Sequence, residues 1–368
     1  MDRSRRDLLK LLGCSAAACP LLCGGGARAA AGVPHRAAYW QPLDGKGIRC
    51  TLCPRRCEVP VGERGICGVR ENRDGTYYTL VHSNPCAINN DPIEKKPLFH
   101  YRPGSMSFSI ATVGCNIECR FCQNWEISQF RPEQVRSRRV GPEQVVRHAE
   151  RLGSRSIAFT YSEPTVFYEY MRDVCLAAAG TDIGRVLISN GYINRRPQLE
   201  LLPLLDAVKI DFKAFSESFY RDVCSAHLRP VLDSLVRVRE QGTWLEMVML
   251  VIPTLNDDPR QLEAMCRWIV QKLGPEVPLH FTRFRPMYKI LNLPPTPVST
   301  LERAREIALG AGLRFAYAGN VPGHAGENTR CPSCDALLIE RDGWRIARNA
   351  ITDGRCSNCK KPVPGIWS

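Results

Sequence analysis

The segment Ala111-Thr112-Val113-Gly114-Cys115-Asn116-Ile117-Glu118-Cys119-Arg120-Phe121-Cys122-Gln123-Asn124-Trp125 constrains the rest of the chain. Cys115, Cys119 and Cys122 are spaced C-x3-C-x2-C, directly after the strand-like run from Ser107 to Val113. A structural zinc ion asks for four ligands in a closed tetrahedron. Neither a fourth cysteine nor a histidine stands between Ser107 and Glu126. A [4Fe-4S] cube normally takes four thiolates, so three on one loop leave one iron open to another ligand.

Eighteen cysteines in 368 residues are many, and most of the others also sort by spacing. Cys50, Cys53, Cys57 and Cys67 form C-x2-C-x3-C-x9-C among glycines and prolines that let the backbone turn around an ion. Zinc is the first expectation there and an auxiliary iron–sulfur cluster the second, because thiolate number alone does not separate the metals. Cys331, Cys334, Cys356 and Cys359 form two C-x2-C pairs in the layout of a zinc ribbon. With so little chain to form a core, that ion would supply much of the local folding energy. Cys86, Cys175, Cys224 and Cys266 stand alone and are expected as buried small apolar residues.

The chain begins Ser4-Arg5-Arg6-Asp7-Leu8-Leu9-Lys10, like a twin-arginine export signal, and a short apolar run follows from Leu11 to Cys23. That run is too short to span a membrane and is interrupted by Pro20. Small residues near Ala29 suit a cleavage site, so residues 1–31 read as a leader and the destination as the periplasm, with the cytoplasm as the alternative. The formal charge of +13 includes five basic and two acidic leader residues, leaving about +10 on the remainder. Those basic residues are scattered and no aromatic-rich binding module accompanies them, so no nucleic-acid partner is expected.

From 105 to 320 the pattern alternates. Strand-like runs are Ser107 to Val113, Ser156 to Tyr161, Arg185 to Ser189, Ala207 to Phe212, Trp244 to Ile252 and Val277 to Phe284. Between them, Leu262, Met265, Cys266, Ile269, Val270 and Leu273 mark one face of a helix, and Val145, Ala149, Leu152 and Leu301, Ala304, Ala308 repeat the pattern. Strands each followed by a helix require a parallel sheet with right-handed crossovers. The fold class is therefore α/β, a partial (β/α)6 barrel of TIM type, with a possible seventh strand at Arg314 to Ala318. The divisions are 32–104 for an N-terminal four-cysteine module, 105–320 for the barrel and 321–368 for the ribbon. Reacting groups should gather at the carboxyl ends of the strands, where the cysteine loop lies.

The cysteine loop, with Phe121 before its last cysteine, has the spacing of the radical S-adenosylmethionine (SAM) enzymes. Further matches are Cys50-Thr51-Leu52-Cys53-Pro54-Arg55-Arg56-Cys57, Asp91-Pro92-Ile93-Glu94-Lys95-Lys96-Pro97-Leu98, Tyr161-Ser162-Glu163-Pro164-Thr165, Ser189-Asn190-Gly191, Lys209-Ile210-Asp211-Phe212-Lys213, His280-Phe281-Thr282-Arg283-Phe284 and Gly319-Asn320-Val321-Pro322-Gly323-His324. Together they resemble the radical SAM enzyme of the AmmeMemoRadiSam system, a branch similar to pyruvate formate-lyase activating enzymes. The resemblance covers nearly everything after the leader.

It implies an oxidoreductase whose [4Fe-4S] cluster, held by Cys115, Cys119 and Cys122, reductively cleaves SAM to a 5'-deoxyadenosyl radical for hydrogen abstraction. Ser162 and Glu163 would meet the SAM ammonium, Asn190, Asp211 and Lys213 its ribose and carboxylate, and Phe121 its adenine. Implied partners are a small-molecule or protein substrate, a low-potential electron donor and the other proteins of that system. Plainer roles stand beside these: Glu163 as a helix cap, Asp211 with Lys213 as an ion pair, Asn190-Gly191 as a turn, His280 and His324 as structural residues. Glycyl-radical activators tend to carry Asp-Thr-Asn-Gly where this chain has Ile188-Ser189-Asn190-Gly191, which lacks the carboxylate a monovalent cation site there would use. Alternative functions are a glycyl-radical activator, an RNA-modifying radical SAM enzyme and a non-catalytic iron–sulfur or zinc protein.

Overall fold

The computed structural model describes residues 35–368, so the leader read in residues 1–31 lies outside the described residues. The main body is one sheet of eight strands: β1 Ala87–Pro92, β2 Met106–Ala111, β3 Ser156–Phe159, β4 Gly184–Ser189, β5 Ala207–Asp211, β6 Trp244–Val251, β7 Leu279–Arg283 and β8 Ala316–Gly319. They lie in the spatial order β8-β7-β6-β5-β4-β3-β2-β1. From β2 to β8 each strand is parallel to the next, whereas β1 pairs antiparallel with β2 from Ala87 opposite Ala111 to Pro92 opposite Met106. All six expected strands are present, and the possible seventh is the edge strand β8. β1 is an addition. Its Asn89-Asn90-Asp91-Pro92 carries no apolar alternation, and a proline without an N–H is tolerated because this strand is an edge.

Strands of the parallel part are buried almost throughout because both their faces are covered, as in Ser156–Phe159, where all residues are buried. The helices are α1 Trp125–Ser128, α2 Pro142–Arg151, α3 Tyr168–Ala177, α4 Arg195–Leu201, α5 Glu217–Cys224, α6 Leu228–Glu240, α7 Pro259–Lys272 and α8 Val298–Gly310. α7 starts where it should: the Asp258 side chain accepts from Gln261 N and Pro259 takes the first position. It buries Leu262, Met265, Cys266 and Ile269, and α8 buries Leu301, Ala304 and Ala308. α2 differs by one residue: Val145, Val146 and Ala149 are buried, while Leu152 is past the helix end and exposed.

Residues from β4 to β7 and the loops after β2, β3 and β8 line one cavity, so the sheet curls around it. The link between β1 and β2 closes this interior from within. Ile93 N donates to Ser105 O at 2.9 Å to shut the loop. Phe99 N and His100 N then reach across to the Glu246 carboxylate in β6 at 3.0 and 2.8 Å. No helix among the described residues is long and apolar enough to cross a membrane.

Two three-stranded sheets precede β1, one of His35–Arg36, Thr76–Thr79 and Arg70–Arg73, the other of Trp40–Pro42, Ile48–Cys50 and Glu58–Val59. They are fastened to α3 by Arg70 and Glu169, whose side chains meet at 2.6 Å and are each 1% exposed. Ala38 N donates to the same carboxylate at 2.7 Å. After β8, Thr329–Arg330, Leu337–Asp342 and Arg345–Asn349 form an antiparallel sheet that packs Leu338 and Ile339 against Phe99, Phe315 and Tyr317.

Removing one partner of a buried ion pair leaves a charge with no water and no counter-charge. Glu169→Ala is therefore expected to cost about 3–5 kcal/mol, read as a lower midpoint in an anaerobic urea titration. The double change Arg70→Met with Glu169→Leu should recover most of that loss. A Glu169→Ala chain as stable as the wild type would sink the assignment of this pair as the fastening.

Candidate active site

Strand β2 delivers the cysteine loop at its carboxyl end. Gly114 has φ +105°, and a Cβ there would stand 2.7 Å from Val69 Cγ1 and 2.8 Å from Cys67 O, so the N-terminal module is packed directly onto the loop. From the same module Arg55 Nε donates to Asn116 O at 2.8 Å. α5 holds the other side, Glu118 N donating to Cys224 O at 3.0 Å and Arg120 N to Val223 O at 2.9 Å. Ile117 N–H is directed at the Cys115 sulfur and Asn124 N–H at that of Cys122. Burial pushes both thiols up, most strongly Cys115. Cys119 is held below the usual thiol range, first because the Cys224 thiol donates to it.

All three cysteines line a cavity of about 510 Å³, and so do Phe121, Ser162, Glu163, Asn190, Asp211 and Lys213. Ser162 Oγ donates to Thr112 O at 2.6 Å, tying the turn after β3 to the start of the cysteine loop. Glu163 Oε1 accepts from Thr165 N, Thr165 Oγ1 and Ser189 Oγ, and Oε2 from Asn190 N at 2.8 Å. It thus caps the short helix Pro164–Phe167 and still keeps acceptor capacity on Oε2. Burial raises its pKa in spite of these donors. Asn190 donates to Asn116 Oδ1 at 2.9 Å and approaches the Cys115 sulfur at 3.8 Å. Asp211 pairs with Lys209 and, at 3.2 Å, with Lys213. Burial would push the Asp211 carboxyl up, but the two ammonium groups outweigh it and hold it down at about 2. Lys213 Nζ also lies 5.9 Å from the Phe121 ring centre. A larger open groove of about 910 Å³ beside α4 holds none of the cysteines.

Among the described residues, two groups bring three or more ligating atoms within 4.8 Å of one another. One is Cys331, Cys334, Cys356 and Cys359, with sulfur–sulfur separations of 3.6 Å for Cys331–Cys359 and 3.8 Å for Cys334–Cys356. A tetrahedral ion with metal–sulfur bonds of about 2.3 Å sets its sulfurs about 3.8 Å apart, so this set fits a single ion. The other is His35, His82 and Asp173, but the two imidazoles are stacked 4.0 Å apart at 4°, and one ion cannot lie in both parallel ring planes. The expected N-terminal site departs from its prediction: Cys50, Cys53, Cys57 and Cys67 do not close to that distance. Cys50 is buried at the end of a strand.

The family profile of the radical SAM superfamily matches residues 109–267. The uncharacterised protein MJ0808 of Methanocaldococcus jannaschii is 44% identical over 331 residues, covering 89% of this chain and 98% of its own length. The chain carries a radical SAM domain and belongs with MJ0808 in one family. The pyruvate formate-lyase-activating enzyme of Listeria monocytogenes is 22% identical over 177 residues, 45% of this chain and 70% of that protein. A domain of pyruvate-formate lyase-activating enzyme from Bacteroides vulgatus has a TM-score of 0.40 at 16% identity, over 44% of this chain and 98% of that one.

Several cavity residues of this radical SAM domain and its flanks carried no role in the sequence reading. Lys96 lies 2.5 Å from Asp91 and bonds the Tyr161 hydroxyl. Burial lowers its pKa to about 8 against the pull of Asp91. Asp91, Lys96 and Tyr161 were visible only as members of quoted motifs. His280 lines the cavity and bonds Glu246 at 2.8 Å, whereas His324 caps a turn and pairs with Glu302. Cys224 is buried as expected, yet it stands against Cys119. Glu327, from the turn Ala325–Glu327 after β8, gave no signal in sequence.

Burial pushes the Glu327 carboxyl up to about 7 from 4.5. Between those values the folded chain holds a proton that the unfolded chain has lost, so rising pH destabilises the fold across that window and not above it. Glu327→Gln removes this dependence. Its stability relative to wild type should rise from pH 5.5 to pH 8, measured as paired urea midpoints; a constant difference would contradict the burial of an ionisable Glu327.

Proposed function

We propose that the chain is a radical SAM enzyme that opens SAM reductively to begin hydrogen abstraction from a substrate held in the curled sheet, read as a partial barrel. The observation that carries this reading is one cavity shared by three thiols of a single loop and the carboxylate, amide and ammonium groups of Glu163, Asn190, Asp211 and Lys213. When bound, the reduced cluster supplies one electron to the sulfonium of SAM and so delivers a carbon-centred radical.

The chain's own residues would then bind and orient. Oε2 of Glu163 has room for one more donor, which suits an ammonium group. Lys213, adjacent to Cys119 and Phe121, offers a cation to a carboxylate. Val248, Leu250 and Phe99 cover apolar parts of the cavity and exclude water. Similarity to the Listeria activating enzyme favours a second reading, in which the substrate is a backbone glycine of a partner protein. Zinc in the ribbon, an auxiliary cluster at Cys50, Cys53, Cys57 and Cys67, a low-potential donor, membership of the AmmeMemoRadiSam system, the domain divisions and twin-arginine export belong to the same proposal.

The test is anaerobic reconstitution of the chain without residues 1–31, metal counting and incubation with SAM and dithionite. About four irons and one zinc per chain, with release of 5'-deoxyadenosine, are expected. About eight irons would assign a second cluster to the N-terminal cysteines, and two zincs would return that site to zinc. Cys119→Ala should abolish the release. Unchanged release in that variant would overturn the proposal.

A further inference from the structure

Three buried side chains that line the same cavity carry acceptors without a hydrogen-bond partner. Glu94 Oε2, Glu327 Oε2 and His280 Nδ1 have no hydrogen-bond partner among the described residues, although the side chains belong to residues only 2%, 5% and 1% exposed. All three residues line the cavity that holds the cysteine loop. Orphaned buried acceptors are costly unless something else completes them.

Their chemistry is uniform. His280 Nε2 faces the Glu246 carboxylate at 2.8 Å, and Glu246 stays ionised, so Nε2 carries the proton and Nδ1 presents a lone pair. Glu94 Oε1 is taken by Gly104 N at 2.8 Å, leaving Oε2. The neighbouring cation does not complete them. Arg341 spends Nη1 on Glu327 O and Thr329 Oγ1 and Nη2 on Phe99 O, and although its Nε is also unpartnered, Arg341 does not line the cavity. Lys96 and Lys95 are both engaged by Asp91, at 2.5 and 2.9 Å. Three carboxylates, Glu94, Glu246 and Glu327, therefore outnumber the positive charge left beside them, which is the guanidinium of Arg341 and the one ammonium that Asp91 does not neutralise between Lys95 and Lys96. The cavity wall here is completed by Phe99 and, from the ribbon, Gly343 and Trp344.

We propose that this acceptor-lined part of the cavity binds the substrate through a protonated amino group, so that the enzyme acts on a small molecule carrying a primary ammonium head. The inference rests on the radical SAM reading for the word substrate, but the ammonium site itself does not. It disfavours a backbone glycine, which has a single N–H and no charge to offer acceptors this deeply buried. It assigns Glu94, His280 and Glu327 as substrate-binding residues, additional to Glu163 beside the cysteine loop.

The experiment uses reconstituted full-length chain, with S-adenosylhomocysteine present to fill the SAM subsite, and titrates butylamine, butanol and butyrate by calorimetry. Butylamine alone should bind. Its affinity should fall about tenfold or more in Glu327→Gln and in Glu94→Gln. A wild-type readout guards against misfolded variants: a cation drawn to Glu327 expels the proton that carboxyl holds near neutrality. Proton release, from titrations in buffers of different ionisation enthalpy, should therefore be larger at pH 6 than at pH 8. Groups that act on Glu327 are Arg341, His324 and Asp342, and those that act on Glu94 are Arg341 and Glu246. Equal binding of butanol, preference for butyrate, or no butylamine binding would overturn the ammonium site. Deoxyadenosine release, assayed separately, reports on the radical SAM reading: release without amine binding would sink only this inference, and amine binding without release only that reading.

Discussion

The Glu246 carboxylate, with no exposed surface, receives four hydrogen bonds: Phe99 N at 3.0 Å, His100 N at 2.8 Å, Trp244 Nε1 at 3.1 Å and His280 Nε2 at 2.8 Å. An ionised group cannot be taken from water at tolerable cost unless its lone pairs are matched, and here every donor is a protein group. The donors come from the segment between β1 and β2, from β6 and from β7. One carboxylate thus joins three stretches remote in sequence. His100, once placed, bonds Pro364 O at 2.7 Å and the Tyr317 hydroxyl, which reaches Thr329 Oγ1 at 3.0 Å. The cavity wall, the edge strand β8 and the ribbon are consequently one hydrogen-bonded system, and the four-cysteine tail is part of the site's architecture.

The cysteine loop is restrained by different means. Gly114 packs against the N-terminal module, Arg55 holds Asn116 O, α5 supplies two carbonyls, and Asn190 reaches the Asn116 side chain. A loop tied from so many sides presents its thiols with little freedom, which a cofactor site requires of its supporting groups. The N-terminal module therefore has a positional role whether or not its cysteines hold a metal, because Val69 and Cys67 O are the surfaces against which Gly114 rests.

Local periodicity was sufficient to place what local periodicity determines. The face of α7 and the strands from β2 to β8 were legible because each buries a regular pattern against the sheet. β1 was illegible because an edge strand need not be apolar, and Leu152 misled because the helix ends before it. The candidate site divides the same way. Cys115, Cys119 and Cys122 share one loop and announce themselves by spacing, as do the ribbon cysteines. Glu246, His280, Glu94 and Glu327 are separated by up to hundreds of positions and acquire meaning only through contacts that the folded sheet creates. The N-terminal cysteines show the limit of spacing: C-x2-C-x3-C-x9-C reads like a closed site, yet no three of these sulfurs lie within 4.8 Å of one another.

Cys224 separates two properties that a count of thiols would merge. It is a fourth sulfur close to the cysteine loop, at the carboxyl end of α5 beside Cys119, but it lies outside the cavity lining. Cys224 holds the neighbouring Cys119 thiol low, while burial pushes the thiol of Cys224 up. A thiol on the cavity side would complete a cube and shut out any exogenous ligand. Cys115, Cys119 and Cys122 share the cavity with Glu163 and Asn190, and Cys224 is not among its lining residues. What keeps Cys224 apart from the three loop thiols is α5, which bonds Glu118 and Arg120 of the loop through the carbonyls of Cys224 and Val223.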